Sequence, residues 1–237
     1  MRGFRLTVFA FLFAGCASAS PPNPAGDVQP DADPEPGPGA DAALPDAPPV
    51  EIPDAAPPAP VMVTLSQTTN ATIAMPNTVN CHNAYETAEN SYYRVFPLAD
   101  YGITNAFHVQ NVQFAVEESD GAHTVSVNVG TYAGAIAPNT AALDPGQWTP
   151  IASAQQAVPD GAGGTVTVPI DTIIPAGSKL MVELLSPGAG DWFFPGSNAN
   201  GETYPTFTRS QCSPTIHSYV SDGFGGVHVI LTVTGTH

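Results

Sequence analysis

The sequence predicts an all-β protein, an antiparallel β-sandwich of jelly-roll-like kind over residues 61–237, preceded by a disordered Pro/Asp-rich linker. Three observations predict the sandwich. Residues 61–237 hold 18 Val and 21 Thr against seven Leu, a composition of strand formers. Apolar side chains alternate with polar ones at period two, and no window of eleven or more residues has the three-and-four spacing of a helix. Asp-Gly and Gly-Gly pairs (120–121, 160–161, 222–223, 225–226) interrupt the alternation with turn chemistry that tolerates positive φ.

The elements follow in chain order. Val61–Thr69 and Ser91–Leu98 read as the first strands. Val112, Phe114 and Val116, then Val125, Val127 and Val129, give two strands either side of Asp120-Gly121. Ile151–Val158 and the Val166, Val168, Ile170 alternation flank Asp160-Gly161, and Pro175-Ala176-Gly177 leads into Ser178–Leu185. Asp191–Pro195 and Val227–Thr234 complete nine or ten strands. Strands with one apolar face must bury it against a second sheet, so two packed sheets are expected, with an eight-stranded closed barrel as the alternative.

Residues 1–60 are a different polymer. Residues 1–15 are a signal segment: Arg2 and Arg5 precede an apolar run, Leu6–Ala14, too short to span a bilayer. Residues 16–60 carry 14 of the 26 prolines and 8 of the 21 acidic residues, and from Ala17 to Pro60 there is no aromatic residue, Lys or Arg. Such a stretch cannot bury enough apolar surface to offset its ordering entropy, and its prolines favour an extended chain. A tether is the expectation. The charge of −16 divides as +2 in the signal, −8 in the tether and −10 in the domain, where three basic residues meet 13 acidic ones. That balance excludes general electrostatic nucleic-acid binding and disfavours adhesion to anionic lipid through a basic patch.

Phe13-Ala14-Gly15-Cys16 resembles the lipobox of bacterial lipoproteins. The resemblance implies that Cys16 is acylated and becomes the first residue of the mature chain, held in the lipid bilayer. Ala17 after it implies the outer membrane of the cell envelope. Cleavage after Ala19, which would discard Cys16, is the alternative, because Ala17-Ser18-Ala19 is also small-x-small. Asn90–Phe96, Ile174–Glu183 and Gly196–Glu202 resemble a β-rich accessory module appended to bacterial extracellular proteins, over most of residues 75–235. With Cys16 assigned to lipid, Cys81 and Cys212 remain as one disulfide in an oxidising compartment. A catalytic thiol at Cys81 beside His82 is the opposing reading.

For chemistry the chain has no G-x-S-x-G, H-E-x-x-H, Walker, EF-hand or C-x-x-C motif. The six histidines (His82, His108, His123, His217, His228, His237) lack metal-site spacing, and His108 and His228 are expected on solvent-facing sheet positions. Glu117, Glu183 and Asp191 are candidate glycosidase carboxylates. Asn198, Asn200 and Glu202 alternate as oxygen ligands for a structural calcium ion, with ordinary turn residues as the other reading. Trp148, Trp192 and Tyr204 are candidate ligand-stacking rings beside polar loops; otherwise Trp192 and Phe194 point into the core and Trp148 caps one end. Asn70-Ala71-Thr72 marks an exposed loop.

The expectation is thus an envelope lipoprotein presenting a non-catalytic sandwich that binds a surface glycan or protein. A purely structural lipoprotein is the second reading and a hydrolase the third.

Overall fold

The computed structural model describes residues 59–83, 87–121, 123–188 and 192–237. Residues 1–58, which hold the expected signal segment, Cys16 and all but the last two residues of the expected tether, lie outside the described residues, as does Asp191. The described chain belongs to one compact unit, Ala56–His237. Among the described residues there is no α-helix, and no helix long and apolar enough to cross a membrane.

The described residues form thirteen strands: β1 (Met62–Ser66), β2 (Asn90–Pro97), β3 (Phe107–Asp120), β4 (Thr124–Tyr132), β5 (Trp148–Ala157), β6 (Gly161–Ile174), β7 (Lys179–Ser186), β8 (Trp192–Pro195), β9 (Ser197–Asn198), β10 (Phe207–Ser210), β11 (His217–Ser218), β12 (His228–Val229) and β13 (Leu231–Thr236). All pair antiparallel. One sheet has the order β1-β13-β3-β6, with β8 also on β3; the second large sheet runs β11-β10-β2-β7-β4-β5, and β12 and β9 form a small two-stranded sheet. The chain changes sheet at nearly every connection, which is the jelly-roll-like feature, and the two sheets remain separate rather than closing into a barrel.

Alternation decides which side chains meet between the sheets. Val112, Phe114, Val166, Val168 and Val233 from one sheet face Tyr92, Phe96, Val125, Val127, Val129, Leu180, Val182 and Leu184 from the other, all buried. A smaller cluster forms on the outer face of the six-stranded sheet. There Tyr93, Val95, Met181, Tyr132 and Phe207 are covered by Leu143 and Ile216, with Ile136 and Trp148 packed against them.

A strand is present at every stretch read from alternation, although β1 ends at Ser66, short of Thr69. The expectation of nine or ten falls short because β9, β10 and β11 are two to four residues long, too short to alternate. Val227–Thr234 is also two strands rather than one. The amides of Ala115 and Ile230 bond to Ile230 and Gly196 carbonyls, and β12 leaves for β9 while β13 joins β3.

Candidate functional site

The exposed aromatic surface is built on β8. Phe193 is the inward residue, fully buried, edge-on to Phe114 at 6.3 Å and stacked on His123 at 5.1 Å. Its neighbours Trp192 and Phe194 therefore share the outer face, half-buried, with ring centroids 5.8 Å apart and planes within 8°. The reading that placed Trp192 and Phe194 in the core is corrected here: the inward residue is the one between them. Exposed His82 completes the group, 5.4 Å from Trp192 and 6.2 Å from Phe194.

Cross-strand register supplies polar groups on the same face. Phe194 lies opposite Glu118 and Trp192 opposite Asp120, and both carboxylates are exposed. The Asp120-Gly121 turn, with Gly121 at φ 86°, ends β3 at this point. Two parallel rings thus sit beside two carboxylates and an imidazole.

The other candidate rings are elsewhere. Trp148 lies opposite Tyr132, at the far end of β4 from the Asp120-Gly121 turn, on the order of 25 Å along the strand. It packs in the outer-face cluster beneath the 133–147 loop, neither beside Trp192 nor as an end cap. Tyr204 donates its hydroxyl to Asp100 Oδ2 at 2.5 Å, which raises the phenol pKa, and its carbonyl accepts from Arg94.

The Asn198–Glu202 loop spends its oxygens internally. Asn198 is fully buried; its amide donates to the Asn70 and Thr72 carbonyls and its Oδ1 accepts from the Asn200 amide. Asn200 donates to Asn70 Oδ1 at 3.1 Å. Glu202 forms an interior ion pair, Oε2 lying 2.6 Å from Arg94 Nη1, and it also accepts from the Thr206 amide and hydroxyl. Among the described residues no group of three or more His, Cys, Asp or Glu is placed to hold a metal.

Arg94 is the residue whose role sequence reading missed. It is 1 % exposed and projects between the sheets. Nε and Nη2 donate to the Val229 carbonyl at 3.1 and 2.6 Å, and Nη1 donates to the Tyr204 carbonyl at 2.9 Å as well as to Glu202. Burial lowers its pKa and Glu202 opposes that shift. A signal existed: a cation at the inward phase of Tyr92-x-Arg94-x-Phe96 demands a buried counter-charge.

The histidines divide. His108 is solvent-facing as expected and pairs with Asp171. His228 is buried instead, at 7 % exposure: Nδ1 accepts from the Gly201 amide at 3.1 Å, so Nε2 carries the proton and donates to the Gly225 carbonyl at 3.0 Å. The turn chemistry at 201 and 225 folds over it, which alternation does not reveal.

Glu117 and Glu183 occupy different sheets. Glu117 accepts from the Asn77 and Thr78 amides, fixing the 69–80 segment. Glu183, on the outer face of the six-stranded sheet, accepts from Tyr93 at 2.7 Å and from Asn128 at 2.8 Å. They make no glycosidase pair with each other. Cys81 and Cys212 form the disulfide, 131 residues apart with Cα atoms 5.7 Å apart, so Cys81 is not a free thiol.

No protein-family model, no curated protein and no solved structure matches the chain.

Proposed function

We propose that the protein is a cell-envelope lipoprotein, anchored through acylated Cys16, whose sandwich binds a glycan on the β8 surface. The observation that carries the binding is the parallel Trp192–Phe194 pair with Glu118 and Asp120 in register beside it. Sugar rings present C–H faces that stack on aromatic faces, while their hydroxyls donate to carboxylates. The domain's net negative charge favours neutral sugars over acidic ones. Support for the anchor is the lipobox-like Phe13–Cys16 and the Pro/Asp-rich stretch behind it.

A glycan-array screen of the mature protein tests the binding: retention of a neutral glycan by the native protein and its loss in Trp192→Ala are expected. An array without hits, or hits unaffected by Trp192→Ala, contradicts the assignment. Cys16→Ser should move the protein out of the membrane fraction, and unchanged fractionation would sink the anchor.

A further inference from the structure

At one end of the sandwich a pocket of about 250 Å3 opens beside β2, β10, β11 and residues 79–81. Its wall includes the disulfide, the apolar side chains Val79, Tyr219 and Phe224, and three polar side chains in series. Ser213 Oγ lies 2.6 Å from His217 Nε2, and His217 Nδ1 lies 2.5 Å from Asp222 Oδ2. Separate features hold each member. Reciprocal amide–carbonyl bonds between Ser210 and Ser213 and the Cys81–Cys212 bridge fix the serine; pairing of His217 with Thr208 fixes the imidazole; bonds from the Asp222 amide to the Ser218 and Tyr219 carbonyls fix the acid.

We propose that Ser213, His217 and Asp222 form a nucleophilic triad that hydrolyses short-chain acyl esters of polyhydroxylated alcohols. The inference stands on the pocket alone and does not depend on the β8 surface. A serine hydroxyl becomes a useful nucleophile when an imidazole accepts its proton and a carboxylate stabilises the resulting cation. Asp222 Oδ2 approaches Nδ1 closely yet off the direction of a ring N–H, an ionic contact that strengthens when His217 is protonated. Asp222 is thus a positioning residue, and Ser213 and His217 are the catalytic ones.

The substrate class follows from the lining. Val79, Tyr219 and Phe224 suit a short acyl chain, which a volume of about 250 Å3 accommodates. Asn80, also in the wall, keeps a buried carboxamide oxygen without a hydrogen-bond partner, an acceptor that a hydroxyl on the alcohol portion would satisfy.

The steps balance. Ser213 Oγ bonds to the acyl carbon as its proton passes to His217 Nε2; the C–O bond to the alcohol breaks and the alcohol leaves with that proton. Water then gives a proton to His217 and its oxygen bonds to the acyl carbon. The Oγ–carbon bond breaks, Ser213 regains the proton, and one ester and one water have become one acid and one alcohol.

The test is hydrolysis of 4-nitrophenyl acetate and mono-acetylated glucose by the purified protein, with fluorophosphonate labelling followed by peptide mapping. Turnover above the rate of equimolar free imidazole and a label on Ser213 are expected. Ser213→Ala should lose at least about 100-fold in kcat, Ser221→Ala should keep full activity, and Asp222→Asn should lower kcat with KM unchanged. Turnover no faster than imidazole, a label absent from Ser213, or activity persisting in Ser213→Ala overturns the proposal. The labelling result stands even where a variant fails to fold.

Discussion

The interior of the sandwich and its β8 surface use the same kinds of side chain in opposite ways. Inside, Arg94, Glu202 and His228 are surrounded by partners: two carbonyls and a carboxylate for the guanidinium, an amide and a hydroxyl for the carboxylate, an amide and a carbonyl for the imidazole. At the β8 surface, the half-buried Trp192 and Phe194 stack on each other on the outer face, and Glu118 and Asp120 of neighbouring β3 face solvent beside them. A saturated cluster specifies the fold, and an unsaturated one is available to a ligand. The contrast can be tested by asking which changes move stability and which move binding.

The largest stability effect is expected from Arg94→Leu, about 3–5 kcal/mol, because it leaves Glu202 buried without its counter-charge. Urea denaturation measures it. The double variant Arg94→Leu/Glu202→Leu should recover most of the loss, since apolar replacement of a buried pair is often neutral. A single variant within about 0.5 kcal/mol of the native protein would break the distinction between the two regions.

Removing the disulfide comes next. Cys81→Ser/Cys212→Ser should destabilise by about 2–5 kcal/mol, since the bridge closes a loop spanning most of the domain. Thiol labelling of the unfolded, unreduced protein should modify neither Cys81 nor Cys212.

An alkaline effect follows from the tyrosines. Burial raises the phenol pKa values of Tyr92, Tyr93 and Tyr219 well above the ordinary 10.0, and pushes Tyr101 up to about 12. A raised folded pKa favours the neutral phenol in the native state. This contribution is therefore complete below pH 10 and is lost as pH climbs through 10 toward the folded values. Ultraviolet titration should show these phenols ionising together with unfolding, and their independent ionisation in a folded protein would contradict their burial.

Much of the architecture was legible because alternation directly reports a half-buried strand. Val125, Val127 and Val129 all face the core as their period requires, and the Asp120-Gly121 turn lies where its chemistry placed it. Short pairings such as β9–β12 carry no period, so the burial of Asn198 and His228 was not readable. The proposed binding surface was half legible. Trp192 was identified, but its companions Glu118 and Asp120 belong to a strand more than 70 residues earlier, and only register brings them together. Trp148 and Tyr204 shared residue type with Trp192 but not location. The Ser213–His217–Asp222 cluster matches no linear motif because its geometry comes from a turn, a two-residue strand and the disulfide.

The smallest stability change belongs to the residue with the largest expected effect on binding. Once a glycan ligand is identified, calorimetric titration of the native protein, Trp192→Ala and Trp148→Ala compares the two tryptophans directly. Trp192→Ala should weaken binding at least about tenfold, or 1.4 kcal/mol, while shifting the urea midpoint little; Trp148→Ala should lower stability and leave affinity unchanged. Equal affinity in the native protein and Trp192→Ala would contradict the assignment of binding to β8.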